Sequence, residues 1–228
     1  MCVVSPETLF LQMASELSLI ELVRLGYELC GAYSLSLIPV DGSGQARFNR
    51  RMPLTCVDRV RRYLEGASHA RSVKKARMAL RFVVDGSASP KETQLCMLLV
   101  LPRRMGGYGL ERPSFNHRVK AFDSLGCSAK AARIGCGLLW RNAKVAVEYD
   151  GSSSECDGFP LGQVIRCGNA SALDGFDVVS VSDWHVGHPE ALDKVAGMVA
   201  RRHGRGLRRD MRYDFSARQS MLREQVLL

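Results

Sequence analysis

Apolar positions recur three and four residues apart through most of the first hundred residues, then give way to shorter and denser runs. The helical period puts Leu9, Phe10, Met13 and Leu17 on one side of a first helix. Ser5-Pro6-Glu7 opens it with a capping hydroxyl, a proline at the first position and an early acid. A second helix is expected over 18–30, closed by Gly31, and residues 40–44 form a loop. Residues 54–64 and 70–84 read as two basic amphipathic helices. Such a pair fits a DNA-reading helix-turn-helix, but any two packed helices share the pattern. Asp85-Gly86-Ser87-Ala88-Ser89-Pro90 is small and polar and marks a domain boundary. It divides a helical, basic region, 1–86, from an α/β region, 87–228.

Beyond the boundary a helix over 92–101 stops at Pro102, and Arg103-Arg104-Met105-Gly106-Gly107-Tyr108-Gly109 makes a glycine-rich loop. The loop lacks the Lys-Ser or Lys-Thr of a phosphate-binding loop and follows no strand, which argues against nucleotide binding. Residues 134–140 and 144–150 are apolar runs parted by Arg141-Asn142, close enough to require an antiparallel hairpin. A third strand over 176–181 precedes a loop and a helix over 189–203. The stretch 157–174 has the length of a crossover, which makes the third strand parallel to its partner. Gly158, Pro160, Gly162, Gly168 and Asn169 weaken any continuous helix there. This order is that of an α/β fold, a small mixed sheet flanked by helices.

The strand over 144–150 carries the most distinctive chemistry. Glu148 and Asp150 project to the same face, roughly 6–7 Å apart along the strand. Two such carboxylates are costly to bury unless a cation such as Mg²⁺ meets them. The plain alternative is a strand that runs out into solvent at Glu-Tyr-Asp-Gly.

Composition narrows the choices. With 46% hydrophobic and 24% charged residues the chain is of a globular type, and no apolar run has the length of a membrane span. The first six residues lack the basic start and apolar stretch of a secretion signal. None of the eight cysteines stands two residues from another, and Cys30, Cys96 and Cys136 have apolar neighbours. A reduced, cytoplasmic protein without a cysteine metal site is expected. The formal charge of +9 is uneven: eleven Lys or Arg face Asp58 and Glu65 over 47–81, and six Arg face Asp210 over 201–212. Arginine clusters suit bidentate phosphate contact and point to nucleic acid. A solvated surface, or cations at a helix carboxyl end, explains them equally well. Aromatic residues are too few among them for a single-strand stacking platform. His185 and His188 fall in a loop with Asp183 and no further ligand, as ordinary loop histidines do. No nucleophile elbow is present.

Several segments together resemble a known family. They are Ser89-Pro90-Lys91-Glu92-Thr93, Leu101-Pro102 with Gly106-Gly107-Tyr108-Gly109-Leu110, Cys136-Gly137-Leu138-Leu139-Trp140, Lys144-Val145-Ala146-Val147-Glu148-Tyr149-Asp150-Gly151, and Gly175-Phe176-Asp177-Val178-Val179. They resemble the small bacterial nuclease-fold domains related to very-short-patch-repair endonucleases, within the PD-(D/E)XK restriction-endonuclease-like superfamily. Ser5-Pro6-Glu7 and Leu25-Gly26-Tyr27-Glu28-Leu29-Cys30-Gly31 resemble a segment often fused ahead of such domains. The resemblance implies a three-layer-like endonuclease fold with a Mg²⁺-dependent phosphodiester-cleaving site.

By that resemblance Glu92 is the helix acid, and Glu148 and Asp150 are the second-strand pair and the metal ligands if any metal binds. Gly137 stands where the first-strand acid is expected, Glu155 where a histidine is expected, and Arg166 lacks its acidic partner. Glu155 or Asp157 could substitute as a ligand. The implied reading is a nucleic-acid-binding protein, DNA ahead of RNA, with a degenerate catalytic site and a role in phage or mobile-element defence. Its phosphate contacts would come from Arg103, Arg104, Arg166, Arg201, Arg202, Arg205, Arg208 and Arg209, beside the old active-site cleft. The alternatives are an active Mg²⁺-dependent DNA endonuclease and an antitoxin-like regulatory DNA-binding module using residues 1–86.

Overall fold

A computed structural model describes residues 3–35, 48–120, 133–149, 176–206 and 214–227. The expected loop over 40–44 and crossover over 157–174 lie outside them.

Helix α1 (Pro6–Glu16) begins as its sequence dictates: Ser5 Oγ accepts the Thr8 N–H at 3.2 Å, with proline in the first turn. Helix α2 (Leu19–Cys30) begins with a capping box, in which Ser18 and Glu21 each accept the other's backbone N–H at 2.8–3.3 Å. A short antiparallel pair follows, β1 (Tyr33–Leu35) with β2 (Phe48–Arg50), which the periodicity did not suggest. Helices α3 (Val57–Gly66) and α4 (Val73–Leu80) are the basic pair, shorter than their amphipathic patterns. Helix α5 (Pro90–Val100) comes next, capped by Ser89.

The sheet has the order β3-β4-β5-β6, built from β3 (Ser114–Lys120), β4 (Arg133–Trp140), β5 (Val145–Tyr149) and β6 (Asp177–Val181). The β4–β5 hairpin is antiparallel, and β6 runs parallel to β5 from Val145↔Asp177 to Tyr149↔Val181, as expected for a crossover. Helices α6 (Asp183–Gly187), α7 (Pro189–Arg202) and α8 (Asp214–Val226) complete a mixed α/β fold with small sheets flanked by helices. His185 and His188 therefore belong to α6 and its carboxyl cap, not to a loop; Ser182 caps the short helix and Pro189 opens the next.

Residues 95–100 of α5 are buried without exception, so the second half of this helix has no solvent face. One continuous apolar cluster joins Phe10, Leu22 and Leu64 to Leu95, Leu98 and Leu138, so residues on both sides of Gly86 share it. Tyr27 of α2 meets Phe115 of β3 edge-on at 6.3 Å, and its hydroxyl donates to the Phe82 carbonyl and lies 3.2 Å from Cys96 Sγ. Cys30 and Cys96 are buried core residues, as their neighbours suggested. A smaller cluster of Leu139, Ala146 and Val178 lies on the other sheet face.

The glycine-rich loop has a packing role. Gly106 has φ +91°, and a Cβ there would lie 2.2 Å from the Arg218 carbonyl oxygen of α8. Beside it Tyr108 donates to Asp193 at 2.6 Å and accepts from Gln219 at 2.9 Å, while Arg223 donates twice to the Val186 carbonyl at 2.6 and 2.8 Å. Gly106→Ala should therefore destabilise the protein by about 2–4 kcal/mol in urea unfolding. Gly66→Ala, at the end of α3 with nothing within 4 Å, should be neutral or stabilising by up to about 1 kcal/mol. Equal effects at the two sites would contradict this role for the loop.

Candidate functional site at the end of the parallel strands

Because β5 and β6 are parallel, both end on the same side, with Glu148 beside Ser180 and Tyr149 beside Val181. Ligands in α/β sheets gather at such strand ends. The amino terminus of α5 arrives at the same place, where Lys91 Nζ meets Asp183 Oδ1 at 2.7 Å. Glu92, in the first turn of α5, follows from the helix start signal: its N–H donates to Ser89 Oγ at 3.2 Å, and its Oε2 accepts the Ala88 N–H at 2.8 Å.

Glu92 Oε1 lies 3.5 Å from the point that a Cβ on Gly137 would occupy. The β4–β5 register ends at Leu138↔Val147. Gly137 and Glu148 each lie one residue beyond that last pair, on β4 and β5. Two of the positions singled out in the sequence, Glu92 and Gly137, are thus brought together, and Glu148 stands at the end of the adjacent strand β5. Asp150, Glu155, Asp157, Arg166, Arg208 and Arg209 lie outside the described residues.

Burial pushes the Glu92 carboxyl above its ordinary value, against the opposing pull of the Ala88 N–H and the charge of Arg50. Burial acts the same way on Asp183, but there the hydrogen bond from Lys91, with the Tyr149 hydroxyl nearby, wins and holds the carboxyl low. Burial and the Asp183 carboxylate together push the Tyr149 hydroxyl up. His185 is lowered by burial and by His188, and its Nδ1 lies 2.9 Å from Ser182 Oγ, which ties it to the start of α6. Trp184, 47% exposed, stacks on His188 at 4.5 Å.

Lys91, Arg50, Asp183 and Tyr149 belong to this site although the sequence reading did not select them. Lys91 was detectable as the neighbour of Glu92; the others are joined to it only by the fold. Glu92 already spends one oxygen on Ala88, and Gly137 has no donor to add. Among the described residues, no group of three or more His, Cys, Asp or Glu side chains could hold a metal ion. The described donors therefore fall short of the ligand set of a bound Mg²⁺.

The expected arginines stand elsewhere. Arg202, at the end of α7, pairs with Asp177 at the start of β6. Asp177 is three residues from Ser180, about 10 Å along the strand, so Arg202 sits at the opposite sheet end from Glu148. Arg205 pairs with Glu111 at 3.2 Å, and the Arg103 guanidinium lies 4.5 Å over the Phe215 ring. Tyr108 and His203 join Arg103, Glu111 and Arg205 around a cleft of about 410 Å³. Arg104 and Arg201 are exposed. The position expected beside the carboxylates is corrected for Arg202, which the end of α7 holds against the start of β6.

No family model matches the chain, and no curated protein or solved structure matches it. Among the described residues no helix is long and apolar enough to cross a membrane.

The raised Glu92 carboxyl has a consequence for stability. Between its ordinary and its raised value the folded state keeps a proton that the unfolded state releases, so stability falls as pH rises through that window. Glu92→Gln retains an acceptor for Ala88 without the buried charge. Its melting temperature should match the wild type near pH 4 and exceed it at pH 7, by differential scanning fluorimetry; a variant less stable at pH 7 would contradict this.

Proposed function

We propose that this protein binds nucleic acid through backbone phosphates and carries a restriction-endonuclease-like carboxylate site that has lost the ligands for efficient metal-dependent cleavage. The observation that carries this reading is Gly137. It stands where the resemblance puts a ligating acid, with Glu92 3.5 Å from where its Cβ would be. A Cβ there would also lie 3.3 Å from the Val147 carbonyl oxygen, so the space for a side chain is narrow.

Phosphodiester hydrolysis of this class relies on a divalent cation, which holds the scissile phosphate and activates water. Losing even an outer ligand-orienting group lowers metal affinity or activity about 10–100-fold, and the acid missing here would have touched the cation itself. Without a cation, Glu92 and Glu148 repel a phosphate, and the nearby cations Lys91 and Arg50 offset that only in part. Phosphate contact therefore falls to arginines elsewhere on the surface. DNA is the favoured partner, in a cytoplasmic setting. The competing reading, an active Mg²⁺-dependent endonuclease, draws its support from the approach of Glu92 to Gly137 on β4, the strand paired with β5.

Plasmid incubated with the protein in Mg²⁺ or Mn²⁺ should remain supercoiled; nicking that disappears in Glu148→Ala would establish the enzyme reading instead. Duplex binding measured by anisotropy should weaken with salt at a log–log slope of about −5 if six phosphates are contacted. A slope near zero would remove nucleic acid from the account.

A further inference from the structure

We infer that a cleft between the carboxyl ends of α3 and α4 is a phosphate-binding site. It has a volume of about 400 Å³, and its walls carry Arg61, Arg77, Arg81 and Arg112 against one acid, Glu65. That volume suits a small ligand or one turn of a polyphosphate chain. The buried side chains of Leu64 and Leu80 line it from below. An apolar floor under like charges focuses their field into the opening.

Helix composition does not account for this cluster. Arg77 and Arg81 are one turn apart at the end of α4, and Arg61 is on α3, but Arg112 arrives from the segment that leads into β3. The fold therefore collects four guanidinium groups from three separate parts of the chain.

Two of them have partial partners. Arg77 Nη2 donates to the Leu64 carbonyl at 2.7 Å, a contact that satisfies the last turn of α3, and Arg61 Nη1 meets Asp58 at 2.5 Å. Each guanidinium has five donors, so most of theirs stay available. Arg81 and Arg112 have no hydrogen-bond or ion-pair partner among the described residues. Four like charges held together on an apolar floor repel one another, and an anion with several acceptors relieves that repulsion. Paired planar forks match phosphate oxygens in particular.

The cleft site deepens the nucleic-acid reading and rests on it for the source of the phosphate, a duplex backbone. A nucleotide or free polyphosphate offers the same chemistry, and the experiment separates the two. The probes are pyrophosphate, followed by thermal shift, and a fluorescein-labelled duplex of about 20 base pairs, followed by anisotropy at about 0.1 M salt. The variants are Arg81→Gln/Arg112→Gln and, as a control of equal charge loss on the same helical region, Arg71→Gln/Lys74→Gln, both exposed and outside the cleft.

The wild type should be stabilised by pyrophosphate, and pyrophosphate should displace the duplex. The cleft pair should lose the thermal shift and weaken duplex binding about tenfold or more, with the salt slope shallower by about 2, while the control stays within about threefold. If the wild type ignores duplex but keeps a pyrophosphate shift that the cleft pair abolishes, the nucleic-acid reading fails and the cleft stands as a site for small phosphates. Equal losses in the two pairs, or a cleft pair indistinguishable from wild type, would overturn the cleft site. Should the cleft pair fail to fold, wild-type duplex binding that pyrophosphate cannot displace would overturn it as well.

Discussion

The second half of helix α5 has to be covered on every side. Residues 95–100 are all buried, so no arrangement of the chain can leave a face of this half in water without exposing several large apolar side chains. The coverage comes from both ends of the sequence, with α1 to α4 entering the same cluster as the sheet and α8. Tyr27 shows how tight that shared packing is, since one side chain touches Phe82, Cys96 and Phe115. Fixing α5 also fixes what its first turn presents. Ser89 and Pro90 start the helix, and three residues on from the cap Glu92 is delivered to the middle of the sheet, beside Gly137.

The charge distribution follows from the same architecture. Glu148 stands where β5 and β6 end and Glu92 approaches Gly137 on β4, while the arginines of α7 are carried back to where β6 begins. A cleft that joined an acidic metal pocket to a basic phosphate track would need both at one end. Among the described residues, four arginines gather instead on the helical region, between α3, α4 and the segment before β3. The arginine cleft and the Glu148 end of the sheet are built from different parts of the chain.

Much of this was legible in the sequence where local signals agree. The caps at Ser5, Ser18 and Ser89, the β4–β5 hairpin and the parallel pairing of β6 all follow from residue types and loop lengths. Strand β3 was not legible, because Ser-Phe-Asn-His-Arg-Val-Lys reads as polar. Helix α8 was hidden because Gln219 and Arg223 share its buried side with Leu222 and Val226, which blurs the apolar stripe. At the candidate site, Glu148 was read from the strand pattern and Glu92 and Gly137 through the family resemblance, yet the approach of Glu92 to Gly137 depends on a helix position that no local spacing encodes. Arg112 could not have been grouped with Arg77 and Arg81 from sequence, being thirty residues or more away.

The central proposal is that Glu92 and Glu148 belong to an incomplete cation pocket. Manganese titrated into the protein and followed by electron paramagnetic resonance tests this without depending on any substrate. The account predicts that the free-ion signal grows from the first addition, with no saturable site below the millimolar range. A single stoichiometric ion held at micromolar affinity in the wild type, and released by Glu148→Ala, would contradict it.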